Sequence, residues 1–211
     1  MSKQAPFTVF DISRPLAKSE PLYPGNPPVV VEWAKTFRKD GSNHACIETG
    51  VHNGTHVDAP LHSLKNGISV DRLALEQCIG WARVYDCTKC KDEITEKEII
   101  KLDPKAGEII LFKTTNSRRS SAFNPKFVHL NEGAARMLVK AGVKAIGTDG
   151  PSIKKFRLRP DTVHPRILRA GTPIYEGLYL EKIKPGRYFF IGVPLKITGA
   201  DASPVRALLM K

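Results

Sequence analysis

Four of the six histidines in this 211-residue chain fall within nineteen residues, and three fall within eleven: His52-Asn-Gly-Thr-His56-Val-Asp58-Ala-Pro-Leu-His62. Imidazole is the commonest transition-metal ligand in proteins and carboxylate a hard oxygen donor. His52, His56 and Asp58 therefore offer an N2O set suited to Zn, Mn or Fe(II). A chance gathering of histidines is the competing reading, and the density argues against it. His44 and His129 stand alone and receive no role.

Local conformation decides whether these groups can converge. A helix would bring His52 and His56 together at i, i+4, but Gly54, Thr55, Val57 and Pro60 are poor helix residues and the Glu of a His-Glu-x-x-His motif is absent. Extended chain fits better and puts positions 52, 54, 56, 58, 60 and 62 on one face. Reach then demands a bend. A straight strand rises about 3.3 Å per residue, separating His52 from His56 by roughly 13 Å. Donors around one ion, at about 2.1 Å from it, lie within about 4 Å of each other. Gly54 is placed to supply the bend, and Pro60 ends ladder hydrogen bonding so that His62 curves back.

The elements that must position these groups are a mixture of strands with few helices. Apolar runs rich in β-branched and aromatic residues predict strands at 81–86, 109–112, 145–148 and 188–193, after a first strand at 7–12. Thr95-x-x-Glu98 is a capping box that starts a short helix ending before Pro104, and a second helix runs from near Asn131 to Gly142. Five prolines and a glycine in residues 14–28 predict an irregular loop. No repeat or composition shift marks a linker, so one domain is expected.

A chain of this length buries about 70% of its unfolded surface and needs neither disulfide nor structural metal to fold. The net charge of +12 first suggests nucleic acid. Its location does not: the first 116 residues are balanced, whereas residues 117–170 hold twelve Lys and Arg against Glu132, Asp149 and Asp161. No helix-turn-helix, zinc-finger spacing or RNA-binding signature accompanies that run, so neither nucleic acid nor membrane is expected as a partner. The absence of a long apolar segment or signal-peptide pattern predicts a cytoplasmic protein. Four cysteines then read as reduced thiols. Cys87-Thr-Lys-Cys90 lacks the strand-to-helix context of a redox motif and any second CxxC for zinc.

The pattern His52-x-Gly54-Thr55-His56-x-Asp58-x-Pro60-x-His62 resembles the signature of the cyclase-like metal-dependent hydrolase family, best known for bacterial kynurenine formamidases. Asp11-Ile12-Ser13-x-Pro15-Leu16 with Tyr23-Pro24-Gly25-Asn26-x-Pro28 resembles the family's N-terminal segment. Glu176-Gly177-Leu178, Val193-Pro194-Leu195 and Asp201-Ala202-Ser203-Pro204-Val205-Arg206-Ala207 resemble its C-terminal segment. The resemblance implies a single α/β domain over residues 1–211, with barrel-like mixed β-sheets and flanking helices of the swivelling β/β/α type. It also implies metal ligation by His52, His56 and Asp58, with Asp58 bridging to a second ion, and by His164 and Glu176. His62 becomes the proton donor and acceptor, and Tyr23 the substrate contact. Two divalent ions follow, Zn2+ as first choice and Mn2+ as alternative, in a homodimer or homotetramer acting on a small amide. Two positions depart from the pattern: Tyr23 stands where kynurenine formamidases typically have Trp, and Gly150-Pro151-Ser152 is followed by Ile153-Lys154-Lys155 where many have Thr-Pro-Ser and an acidic residue.

On this reading a metal-activated water attacks the formyl carbonyl of an N-formyl aromatic amine such as N-formylkynurenine, and His62 protonates the leaving nitrogen. A Gly-x-Ser-x-Gly elbow is absent, which sets aside the serine route to the same reaction. Hydrolysis of a cyclic amide or imide such as isatin, or of a carbamate, is the alternative within the family. A basic binding protein that holds a metal without catalysis is the alternative from another class.

Overall fold

The computed structural model describes residues 7–118 and 122–211, so Arg119 of the basic run lies outside the described residues. In chain order the strands are β1 (Val9–Asp11), β2 (Val30–Lys35), β3 (His44–Glu48), β4 (His56–Asp58), β5 (Ile79–Asp86), β6 (Glu93–Ile94), β7 (Ile109–Lys113), β8 (His129–Leu130), β9 (Ala145–Thr148), β10 (Ile174–Glu176), β11 (Gly186–Ile191), β12 (Ala202–Pro204) and β13 (Leu208–Met210). The α-helices are α1 (Phe37–Asp40), α2 (Leu75–Cys78), α3 (Glu96–Leu102), α4 (Glu132–Ala141) and α5 (His164–Arg169).

Nine strands form one mixed sheet in the order β1-β13-β11-β5-β7-β9-β10-β4-β12. The neighbours β5/β7, β7/β9 and β9/β10 are parallel, and each such step is bridged by a helix, α3, α4 and α5 in turn. Parallel neighbours require a crossover of this kind, which stacks the three helices on one face. Every other pairing in the sheet is antiparallel. Only Val205, Arg206 and Ala207 separate β12 at one margin from β13 near the other, so the sheet must curl back toward itself. The result is a single α/β domain around a curled half-barrel.

Strand alternation builds two cores. Ile109 and Leu111 face inside the curl with Val57, Ala82, Val84, Tyr175, Phe190 and Leu209. Ile110 and Phe112, one residue out of phase, face the helices with Ile99, Leu138, Ile146, Ile167 and Ile174. A strand buried on both faces reads as a continuous apolar run, which is why Ile109–Phe112 was legible without alternation. The capping box at Thr95 forms as the sequence predicts, with Glu98 accepting from the Thr95 N–H at 2.9 Å. Asn131 caps α4, and Gly142 ends it in the left-handed region.

The hairpin of β2 and β3 pairs only with itself, apart from the main sheet. Val31, Trp33, Ala45 and Ile47 share one of its faces by register. The basic run is spread over several elements: Arg136 and Lys140 lie in α4, Arg166 and Arg169 in α5, and Arg118 and Lys126 in the segment between β7 and β8.

Candidate metal centre

The site forms where β4 and β10 run side by side. Register puts Glu176 opposite His56 and Ile174 opposite Asp58. Residues directly opposite one another project to the same face, and so do residues two apart on one strand. His56, Asp58, Ile174 and Glu176 therefore share the helix-side face, while Val57 and Tyr175 turn into the curl. His164 begins α5, on that same side, at the carboxyl ends of the parallel strands β9 and β10.

The expected bend is present, and it removes His52 from the strand. Residues 51–55 form turns and bends, Gly54 sits at φ +63°, and the strand proper starts only at His56. Pro60 opens a 3-10 turn over Pro60–His62 that brings His62 back. The even-position face predicted for an extended segment thus holds only for His56 and Asp58, and the other two histidines arrive by turns. A second glycine makes this arrangement possible. Gly177, at φ +67°, lies so close to the His52 turn that a Cβ there would meet the Gly54 carbonyl. The Thr55 hydroxyl donates to the Gly177 carbonyl at 2.6 Å and clamps the turn against the end of β10.

At the floor, acceptor atoms face one another. His56 Nδ1–H donates to the Gly54 carbonyl at 3.2 Å, which leaves its Nε2 lone pair aimed inward. That Nε2 lies 3.5 Å from both Asp58 Oδ1 and Glu176 Oε2. His164 Nδ1–H donates to Asp161 at 2.8 Å, so its Nε2 also faces inward, 3.7 Å from Asp58 Oδ2 and 3.1 Å from Glu176 Oε1. Asp58 is fully buried, and His56, His164 and Glu176 nearly so. Yet His56 Nε2 and both Asp58 oxygens have no hydrogen-bond partner among the described residues. His52 Nδ1 approaches Asp58 Oδ1 to 2.9 Å without the alignment of a hydrogen bond. An unsatisfied buried polar atom costs about 1–3 kcal/mol, and more when charged. A divalent cation satisfies all of these atoms together, so the residues fit a metal.

The mouth of the site is wetter. Asp201 Oδ2 accepts from His62 Nδ1 at 3.0 Å and lies 2.9 Å from His52 Nε2. The His62 ring sits 4.4 Å from that of His52 and 5.3 Å from that of His164. The His62 side chain is 29% exposed, against 3% for His56 and His164, so of these three only His62 is open to solvent. Among the described residues, three triads have donor atoms within 4.8 Å: His52-His56-Asp58, His52-His62-Asp201 and Asp58-His62-His164.

Charge balance shapes the protonation of the cluster. Burial works against a charged His52, but Asp58 and Asp201 outweigh it and raise its pKa to about 9. Burial is likewise outweighed at His164, where Asp161, Glu176 and Asp58 raise the value to about 10. Glu176 and Asp58 are pushed up by burial, and the facing imidazoles more than reverse that, so both end below the usual carboxylate range. Facing carboxylates thus hold protons on His52 and His164 that a metal ion would replace.

Beside the cluster lies a cavity of about 440 Å3 lined by His52, Gly54, His56, Tyr23, Phe123, Phe127, Arg14 and Arg118 among others. Residues 10–155 match the family model described as "Putative cyclase". The chain belongs to that family. A cyclase-family relative named kynurenine formamidase, from Salinibacter ruber, is 35% identical over 204 residues, covering 95% of this chain and 96% of that one. A metal-dependent hydrolase from Bacillus stearothermophilus has the same fold, with a TM-score of 0.87, 33% identity, and 98% and 99% of the two chains covered. Isatin hydrolase A from Labrenzia aggregata, 24% identical over 97% of this chain and 93% of its own, shares the fold with a TM-score of 0.86. The protein is accordingly a metal-dependent hydrolase of the cyclase family, with a half-barrel as the resemblance implied.

The structure brings His52, His56, Asp58, His62, His164 and Glu176 into one cluster, with Tyr23 on the adjoining cavity wall. Two participants received no role from sequence. Asp161 stands three residues before His164 in the turn ahead of α5, where it accepts from the Val163 and His164 N–H groups at 3.0 and 3.2 Å. Asp201 reaches the histidines only through the pairing of β12 with β4, for which spacing gives no cue. All four cysteines are free thiols; Cys87 is buried, and burial raises its pKa, with Cys90 beside it adding to the rise.

Proposed function

We propose that this protein hydrolyses a small aryl amide, N-formylkynurenine to kynurenine and formate. The carrying observation is the buried ring of partnerless acceptor atoms, His56 Nε2 and both oxygens of Asp58, opening beside an aromatic-walled cavity. The relative named kynurenine formamidase, matched over nearly its full length, supports the choice of amide. His52, His56, Asp58, His164 and Glu176 would hold two divalent ions, Zn2+ before Mn2+. Asp58 would contribute to holding both, with its Oδ1 toward His52 and His56 and its Oδ2 toward His164. When bound, such ions supply Lewis acidity toward a carbonyl oxygen and an acidified water.

The remaining steps fall to this chain's own residues. Asp201 accepts from His62 Nδ1–H and so fixes the tautomer whose Nε2 takes up a proton. His62 then delivers that proton to the amine nitrogen as the C–N bond breaks, and formate leaves with the acyl carbon. Tyr23 and Phe123, edge to face at 5.3 Å, offer rings against the aryl group. Metal-loaded protein should release formate from N-formylkynurenine faster than it opens isatin or cleaves simple amides. Faster turnover of isatin would move the reading to cyclic amides, and no turnover of any of them would overturn amide hydrolysis.

We infer in addition that the chain works as a homodimer or homotetramer. The β2–β3 hairpin leaves Val31, Trp33 and Ile47 more than half exposed on one face. A two-stranded ribbon alone is marginal in water, so a second copy covering that face would stabilise it. Sedimentation of Trp33→Asp should show dissociation relative to the parent; an unchanged mass distribution, or a monomeric parent, would remove the proposal.

A further inference from the structure

The cavity beside the metal cluster carries an excess of positive charge that the hydrolysis of an amide does not require. Its charged lining outside the histidines is Arg14, Arg118 and Lys126 against Glu20. Arg118 and Lys126 are exposed at the rim, whereas Arg14 is half-buried. Arg14 is also held in place. Its backbone N–H donates to Thr55 Oγ1 at 2.8 Å, inside the histidine signature itself. Its Nη2 donates to the carbonyls of Asn116 at 2.9 Å and Asp149 at 3.5 Å, and its guanidinium lies 6.0 Å from the centre of the Tyr179 ring.

No carboxylate lies within ion-pair distance of Arg14 among the described residues, whereas the other two half-buried arginines each have one, Arg83 with Glu108 at 2.7 Å and Arg166 with Glu132 at 2.8 Å. Backbone carbonyls occupy one amino group, and among the described residues the other donors of the fork have no hydrogen-bond partner. A guanidinium fixed by neutral carbonyls and lacking an anion is suited to bidentate capture of a carboxylate. The same cavity is lined by Tyr23, Phe123 and Phe127, with Tyr23 5.3 Å from Phe123 and Phe123 6.2 Å from Phe127.

We propose that Arg14 is a specificity-determining residue that binds a carboxylate on the substrate, so that the enzyme acts on acidic aryl amides in preference to neutral ones. This rests on the reading of the site as an amide hydrolase. The rim cations Arg118 and Lys126 then draw the anion toward the cavity, and Arg14 fixes it.

The test compares two substrates that differ only in the carboxylate, N-formylkynurenine and its decarboxylated analogue N-formylkynuramine, on metal-loaded protein. Hydrogen bonds to a charged partner carry about 1.5–3 kcal/mol, which corresponds to roughly 10-fold to 150-fold. The parent should prefer the acid in kcat/KM by about that factor, through KM. Arg14→Gln should bring the ratio near one, and Arg14→Lys should restore part of it. A preference left intact in Arg14→Gln, or absent from the parent, would overturn the proposal. Should neither amide be cleaved, the hydrolase reading fails by itself. Calorimetric binding of kynurenine against kynuramine to the parent and Arg14→Lys proteins then decides the anion subsite: equal affinities would refute it, and a preference for kynurenine that weakens in Arg14→Lys would sustain it.

Discussion

Replacing Asp161 by Asn isolates the electrostatic preparation of His164 from its position. The carboxylate accepts from His164 Nδ1–H through Oδ2 at 2.8 Å, while Oδ1 accepts from the Val163 and His164 backbone N–H groups. Asn keeps an oxygen for the backbone bonds, so the turn ahead of α5 is retained. It presents an NH2 to His164 Nδ1, which must then accept, and the proton moves to Nε2. That nitrogen is the one aimed at Asp58 and Glu176, 3.7 and 3.1 Å away. A protonated Nε2 has no lone pair for a metal. Loss of such an orienting partner weakens metal binding by 10-fold to 100-fold in comparable sites, or about 1.4–2.7 kcal/mol. Competition against a chromophoric chelator measures the Zn2+ affinity directly, and thermal melts of the metal-free proteins check that the turn ahead of α5 survives. The expected pattern is metal-free melting temperatures within a few degrees and Zn2+ affinity down at least tenfold. Asp161→Asn binding Zn2+ within twofold of the parent would refute the tautomer argument.

Other outcomes follow from the same geometry. His62→Ala should keep metal stoichiometry and lose most turnover, whereas Asp58→Ala should lose metal; near-normal rates in His62→Ala would remove the proton-transfer role. Asp201→Asn should lower kcat and shift its pH profile with little effect on metal content at the floor, and an unchanged profile would deny Asp201 its positioning of His62. Chelation should lower the melting temperature: at a metal concentration about 1,000 times Kd the bound state gains about 4.1 kcal/mol, or roughly 8–16 °C for a chain of this size. Scanning fluorimetry with and without chelator reads that shift, and coincident curves would speak against a folded-state metal site. Iodoacetamide at pH 8 should label exposed Cys46 well before Cys87, whose thiol is buried and raised in pKa; rapid labelling of Cys87 in the folded protein would contradict its placement.

The parts of this molecule that were legible in sequence are those governed by local chemistry. The strands at 81–86, 109–112, 145–148 and 188–193 fall within or across β5, β7, β9 and β11, because β-branched and aromatic runs buried on a sheet leave a plain signature. Thr95 announced its helix through a capping box that forms as drawn, and the second helix starts next to Asn131 as expected, with Asn131 as its cap. The histidine signature was visible by density, and the need for a bend at Gly54 followed from reach alone. What escaped depends on distant pairing. β4, β10 and β12 are three residues each, too short for periodicity, and only their mutual register brings Glu176 and Asp201 to the histidines. His164 and Glu176 came from the family pattern and not from their own neighbourhood. The β2–β3 hairpin was hidden because it packs against no core, so its apolar face carries no burial pattern to read.

The central claim is that a metal bound among His52, His56, Asp58, His164 and Glu176 is required for amide hydrolysis. Its most direct test is titration of metal-stripped protein with Zn2+, and separately Mn2+, while following formate release from N-formylkynurenine. Activity should be absent after stripping, rise with added ion and saturate at two equivalents per chain. Formate release that persists without metal, or that never appears at saturating metal in folded protein, would contradict the account.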